Sequence, residues 1–244
     1  MKEREETSMS IAENVARVRG EMERAALDAG RDPAAIRLCA ATKMNDTAAV
    51  REAILAGVDC CGENRVQELT KKQSEDAYRG VPVHFIGHLQ TNKVRQVVGK
   101  VDLIQSVDSL RLLEAIDREA ARQGIRQDIL LEINIGQEAS KTGFREEEIF
   151  PLVEKMGSFP NVCMRGLMAI PPICQESGGN LKFFQKMFHF YVDIRAKKYD
   201  NVKVDCLSMG MSEDYPDAIQ CGSTMIRIGT AIFGARDYAK LHQV

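Results

Sequence analysis

Eight short apolar runs, alternating with stretches of helical spacing, constrain this chain more than any other feature. They fall at 37–42, 58–61, 83–86, 103–105, 128–135, 162–170, 204–207 and 225–228. A short, mostly apolar run such as 37–42 reads as a strand buried on both faces. Parallel strands need a crossover between them, and the intervening helices supply it. Eight β–α alternations in 244 residues, against roughly 250 for a closed (β/α)8 barrel, predict one α/β barrel domain over 1–244. A doubly wound open sheet is the alternative, but no glycine-rich dinucleotide fingerprint follows the first run.

An extra helix precedes the first strand. Ile11, Val15, Val18, Met22, Ala25 and Ala26 recur at helical spacing over 11–29, and Gly30 and Pro33 end the pattern. Further helices are expected over 46–56, from Gly62-Glu63-Asn64 through Val66 and Leu69, and through Val94 and Val98. Another is expected over 109–122 with Asp108 as its cap, and one over most of 144–156. The last, over 181–198, should bury Phe184, Phe188, Tyr191 and Val192. The run at 128–135 reads as the longest strand, and Pro171-Pro172 stops the one before it.

Composition excludes several partner classes. A net charge of −2 gives no basic footprint for nucleic acid or an anionic membrane. No apolar run approaches the roughly 20 residues of a membrane span. The start, Met1-Lys2-Glu3-Arg4-Glu5-Glu6, is charged and helical in character and lacks the apolar core of a secretory signal. A cytoplasmic protein is expected. The cysteines, Cys39, Cys60, Cys61, Cys163, Cys174, Cys206 and Cys221, are odd in number and form no CxxC pair. They read as small hydrophobes in a reduced compartment, with no metal site.

Candidate chemistry sits at strand ends. Lys43 closes the first strand, on the face where a parallel barrel builds its site. A lysine there is either a partly desolvated amine able to attack a carbonyl or a snorkelling side chain. Leu207 to Asp214 and Gly222 to Thr230 each couple a strand to a loop of small residues. Such loops suit phosphate, because several N–H dipoles converge on one anion. Arg227 lies inside an otherwise apolar strand and needs a partner, a structural carboxylate or a ligand atom. His84 and His88 are four apart, but across a strand rather than on a helix, so metal is not the favoured reading. Ser140-Lys141-Thr142-Gly143 forms a basic turn, read as solvated.

Several motifs occur in a fixed order. They are Ala41-Thr42-Lys43, Gly62-Glu63-Asn64-Arg65-Val66-Gln67-Glu68, His84-Phe85-Ile86-Gly87-His88-Leu89-Gln90, Ser140-Lys141-Thr142-Gly143, Gly166-Leu167-Met168, and the block from Leu207 to Gly234. From Ile11 to Tyr238 the chain thereby resembles the pyridoxal phosphate homeostasis protein family. One departure is local: members often continue the lysine with Thr-Lys-Pro, and here Met44-Asn45-Asp46 follows.

The resemblance implies a barrel of the alanine-racemase type carrying pyridoxal 5′-phosphate (PLP) as a Schiff base on Lys43. It implies that Arg227 faces the pyridine nitrogen, that Gly229 and Thr230 give backbone N–H groups to the phosphate, and that Ser212 adds its hydroxyl. Asn64 joins the cofactor-binding set on the same ground. It further implies a role in buffering and delivering vitamin B6 cofactor, with no established turnover. Apo-PLP-enzymes are the implied recipients, and the protein is expected as a monomer or weak homodimer. A single-domain amino-acid racemase and a barrel aldolase using Lys43 are the enzyme alternatives. Against a racemase, the tyrosine-bearing segment after its lysine and its extra β-domain have no counterpart here.

Overall fold

The computed structural model describes residues 9–234 except Gln175, Ser177 and Lys198. The charged start Met1 to Glu6 and the resemblance beyond Gly234, to Tyr238, lie outside the described residues. Among the described residues there are eight strands: β1 Arg37–Ala41, β2 Cys60–Glu63, β3 Val83–Phe85, β4 Leu103–Val107, β5 Gln127–Ile133, β6 Val162–Ala169, β7 Val202–Ser208 and β8 Met225–Ile228. Each pairs in parallel with the next, and β8 closes on β1 in the register Cys39↔Arg227. Helices α1 Ile11–Asp28, α2 Thr47–Leu55, α3 Val66–Ser74, α4 Leu110–Gln123, α5 Glu146–Glu154, α6 Leu181–Arg195, α7 Tyr215–Gln220 and α8 Thr230–Phe233 complete the expected barrel with its added first helix.

Two apolar layers hold it. The larger lies where the helices cover the sheet and includes Val15, Leu69, Phe85, Ile116, Phe184 and Ile226. The smaller takes one residue from each of seven strands: Cys39, Cys60, Leu103, Leu130, Met168, Cys206 and Met225. Their inward side chains plug the barrel, as alternating inward positions do in this fold. The remaining strand, β3, supplies His84 beside the plug.

Helix α1 starts at a capping box in which Ser10 accepts from the Glu13 N–H and the Glu13 side chain accepts in return. It packs against α2, α7 and α8. With α8 only four residues long, α1 covers barrel wall that a longer final helix would otherwise take.

Several local expectations need correction. Gly62 and Glu63 do not open a helix. They finish β2, because Gly62 pairs with both Ala41 and His84 and Glu63 pairs with Phe85. Val94 lies in a short 3-10 helix, Thr91–Gln96, with Val98 just beyond it. Ser109, not Asp108, caps α4 by accepting from the Leu112 N–H at 3.3 Å, while Asp108 turns to His88. The longest strand is β6, with 8 residues against 7 in β5. On α6 the buried stripe is Phe184, Met187, Tyr191 and Ile194, whereas Phe188 and Val192 are exposed. Steps of four advance about 40° past a full turn, so 188 and 192 drift off the stripe begun at 184.

Candidate functional site

Lys43 is half-buried just beyond the C-terminal end of β1. The backbone on both sides of it is held. Before it, the Thr42 hydroxyl donates to Glu63 Oε1 at 2.5 Å, and Lys72 Nζ donates to the Thr42 carbonyl at 2.7 Å. After it, Met44 adopts a left-handed φ of 63° and its N–H donates to Glu68 Oε2 at 2.6 Å. The Asn45 side-chain amide donates to the Lys43 carbonyl at 3.0 Å. The altered sequence after the lysine thus sits in a sharp turn fixed by neighbouring side chains.

Behind Thr42 lies a buried ion pair that the sequence reading did not single out. Lys72 Nζ is 2.5 Å from Glu63 Oε1, and Tyr78 donates its hydroxyl to the same oxygen at 2.9 Å. Burial, with Glu63 alongside, pushes the Tyr78 phenol above its ordinary range and keeps it protonated. The signal was present in the sequence: Val66, Leu69 and Lys72 share the buried face of α3, and a lysine on an apolar stripe requires a countercharge.

Arg227 is buried inside the barrel. Its Nη1 donates to Ser208 Oγ at 2.5 Å and its Nη2 to the Ala169 carbonyl at 2.9 Å. Neither is the structural carboxylate that the sequence alternative required. Burial lowers the guanidinium pKa from its ordinary value, and the nearby Cys39 and Glu132 oppose that shift. Ser208 donates onward to Gln105 Oε1 at 2.7 Å, and Gln105 Nε2 lies 2.9 Å from His84 Nδ1. A polar relay, His84–Gln105–Ser208–Arg227, therefore crosses the barrel above its apolar plug. Beside it, hydrogen bonds from Cys60 and then His84, aided by the charge of Arg227, draw the Cys39 thiol below its ordinary value despite burial.

The small-residue loops meet next to Lys43. Ser212 Oγ accepts from the Ala231 N–H at 3.3 Å, joining the loop after β7 to the turn after β8. Gly229 precedes α8, and Thr230 is its exposed first residue. At Gly229 φ is −114°, and an added Cβ would meet only Ala41, at 3.6 Å. Neither backbone geometry nor packing demands a glycine there, so its bareness leaves room for something outside the protein. Strands β7, β8 and β1 are neighbours, and they bring Lys43, Ser212, Arg227, Gly229 and Thr230 to one sector of the mouth.

Asn64 stands at the end of β2, the next strand round, where its Oδ1 is buried without a hydrogen-bond partner among the described residues. Its backbone is pressed against Gly87, whose Cβ, if present, would lie 2.2 Å from the Asn64 carbonyl oxygen. Asn64 also lines a cavity of about 320 Å³ with His88, Glu132, Asn134, Lys141 and Thr142. Burial, then the charge of Asp108, pushes the Glu132 carboxyl above the usual range. Lys141 is not simply solvated: it pairs with Glu138 and donates to the Pro171 carbonyl at 3.1 Å. His84 and His88 part company, His84 facing the barrel interior and His88 bonded to Asp108 at 2.9 Å.

The arrangement offers a lysine on a held backbone, a buried guanidinium and two small-residue loops joined by a hydrogen bond. Residues 10–237 match the family model for the alanine racemase N-terminal domain. The pyridoxal phosphate homeostasis protein of Pseudomonas aeruginosa is 40% identical over 229 residues, covering 94% of this chain and 97% of that protein. The structure of PipY from Synechococcus elongatus with PLP bound superposes with a TM-score of 0.79 at 33% identity, covering 92% of this chain and all of that one. Alanine racemase of Clostridium difficile shares the fold alone, with a TM-score of 0.70 at 15% identity over 92% of this chain and 57% of its own.

Proposed function

The chain belongs to the alanine racemase N-terminal domain family and, within it, to the pyridoxal phosphate homeostasis proteins, and from that premise we propose that it binds PLP and serves in the intracellular homeostasis of that cofactor, holding and releasing it without turnover. The observation that carries the reading is the convergence of Lys43, Ser212, Arg227 and Gly229 on three adjacent strands. The fit is supported by the space over Gly229 and by the partnerless amide oxygen of Asn64.

When bound, PLP supplies an aldehyde carbon that condenses reversibly with amines and a ring that withdraws electrons most strongly when its nitrogen is protonated. In this reading Lys43 supplies the amine, held in place by the bonded backbone before and after it. Ser212 gives its hydroxyl, and Gly229 and Thr230 give their N–H groups, to the phosphate. Arg227 faces the ring nitrogen, and because a guanidinium donates but does not accept, it keeps a proton off that atom. Asn64 would add its partnerless amide oxygen, at the end of β2, to the set that holds the cofactor. A racemase needs an acid–base group on each face of its substrate. Here Tyr78 and Tyr215 donate their hydroxyls to Glu63 and Glu21, partners that hold them in structural roles. The reading extends to one barrel domain over 1–244, a cytoplasmic setting and apo-PLP-enzymes as recipients.

The test is to load the full-length protein with PLP, reduce it with borohydride and map the peptides. The adduct is expected on Lys43 and is lost in Lys43→Ala. An adduct confined to another lysine overturns the assignment. Incubation with D- and L-alanine in deuterated solvent, followed by chiral analysis, should show no efficient racemisation, and its presence would overturn the non-catalytic part.

A further inference from the structure

Cys39, Cys60 and His84 lie at inward positions of β1, β2 and β3, in the registers Cys39↔Cys60 and Gly62↔His84. One ligand atom from each, two Sγ and a ring nitrogen, all fall within 4.8 Å of one another. The three residues are 0%, 2% and 3% exposed. Random packing of small hydrophobes accounts for the two sulfurs but not for an imidazole turned onto them. Gln105 holds the ring from its other side, 2.9 Å from Nδ1, as outer partners orient ligating histidines.

We propose that Cys39, Cys60 and His84 form a binding site for a soft, monovalent d10 cation, copper(I), inside the barrel. Softness follows from the donors, since two thiolates and an imidazole select copper(I) or zinc over hard ions. Coordination number then separates those two. Among the described residues no fourth His, Cys, Asp or Glu joins the group, the buried Cys206 nearby included, so the protein supplies three ligands. Zinc takes four, or three and a water. Charge points the same way. Two thiolates and one copper(I) leave a single negative charge, and Arg227, the register partner of Cys39, supplies the matching positive one.

Binding breaks the S–H bonds of Cys39 and Cys60, forms two Cu–S bonds and one Cu–N bond, and releases two protons. Copper enters as copper(I), so no electron is transferred. For Nε2 to ligate, the ring proton moves to Nδ1, where the Gln105 carboxamide accepts it once its amide is turned about.

The experiment titrates reduced full-length protein anaerobically with copper(I) in competition with bicinchoninate. Cys39→Ser, Cys60→Ser and Cys174→Ser variants run in parallel, each checked by circular dichroism. One equivalent should bind, with a loss of at least about 100-fold in affinity in either barrel variant. The exposed thiol of Cys174 should make no difference. X-ray absorption on the wild-type complex should count two sulfurs and one nitrogen, a readout that survives even if a variant misfolds. The proposal falls if the chelator keeps the copper, if a Cys39→Ser/Cys60→Ser double variant still binds, if Cys174→Ser removes binding, or if zinc is held more tightly at the same residues.

Discussion

Two polar clusters flank the start of the barrel, one outside the sheet and one inside, and they are built on opposite principles. Outside, between β2 and α3, Glu63 and Lys72 cancel each other, and one carboxylate oxygen takes three donors, from Thr42, Lys72 and Tyr78. The cluster reaches the mouth through the Thr42 peptide and through Glu68, which lies 3.5 Å from Lys72 Nζ and accepts from the Met44 N–H. Inside, the relay from His84 ends on a guanidinium whose hydrogen-bond partners are a hydroxyl and a carbonyl. A pair whose charges cancel is a strut: Glu63 Oε2 stays buried without a hydrogen-bond partner among the described residues, but no net charge remains for a ligand. A cation with neutral partners keeps charge and N–H groups to offer.

The largest expected effect breaks the strut. Lys72→Met should leave Glu63 buried and unpaired, costing about 3–5 kcal/mol of stability, as read by urea unfolding. A change near zero would mean that the pair carries no such role. Next comes the relay. Arg227→Met leaves Ser208 and Ala169 short of a donor, a loss of about 1–3 kcal/mol, but it should also shift the absorption of bound PLP. Lys72→Met should destabilise the protein without moving that absorption. If both variants shift the spectrum alike, the contrast between strut and site is wrong.

The smallest effect lies outside both clusters and calibrates them. Arg122, then Gln123, hold the Glu119 carboxyl down to about 2 from an ordinary 4.5. A lowered folded pKa gives stability that is present above 4.5 and lost as pH falls toward 2. Glu119→Gln should flatten that part of the acid unfolding curve by a few tenths of a kcal/mol, the scale of a surface pair.

The strands and the site sector were legible in the sequence for the same reason. Apolar runs broken at regular intervals announce a parallel sheet, and a charge inside such a run, as at Arg227, announces a partner. What escaped reading is what depends on register. Cys39 and Cys60 looked ordinary in separate runs and His84 was weighed only with His88; only the pairing of β1, β2 and β3 makes the three neighbours. The partners of Arg227 come from β6 and β7, far off in sequence, and no periodicity reports them. Glu63 was misplaced into a helix because Gly62 looked like a helix opener, when its lack of a side chain serves the barrel interior: a Cβ there would lie 2.7 Å from Ile86 Cδ1.

Helix α1 reaches across to the far end of the chain. Asn14 and Arg17 donate to the carbonyls of Ile232 and Ala231, each at 3.0 Å, and Tyr215 donates to Glu21. The turn that carries Gly229 and Thr230 is thus buttressed by the first helix of the barrel. On a ribosome, α1 emerges before its partners: α2 follows soon, but α7 and α8 come only at the end of the barrel. Its buried stripe waits through the synthesis of most of the chain, and the loops beside Lys43 take their final shape only after β8 has closed the ring. A nascent chain is therefore blind to ligand until β8 has been made, so ligand stabilises closed barrels and not open ones.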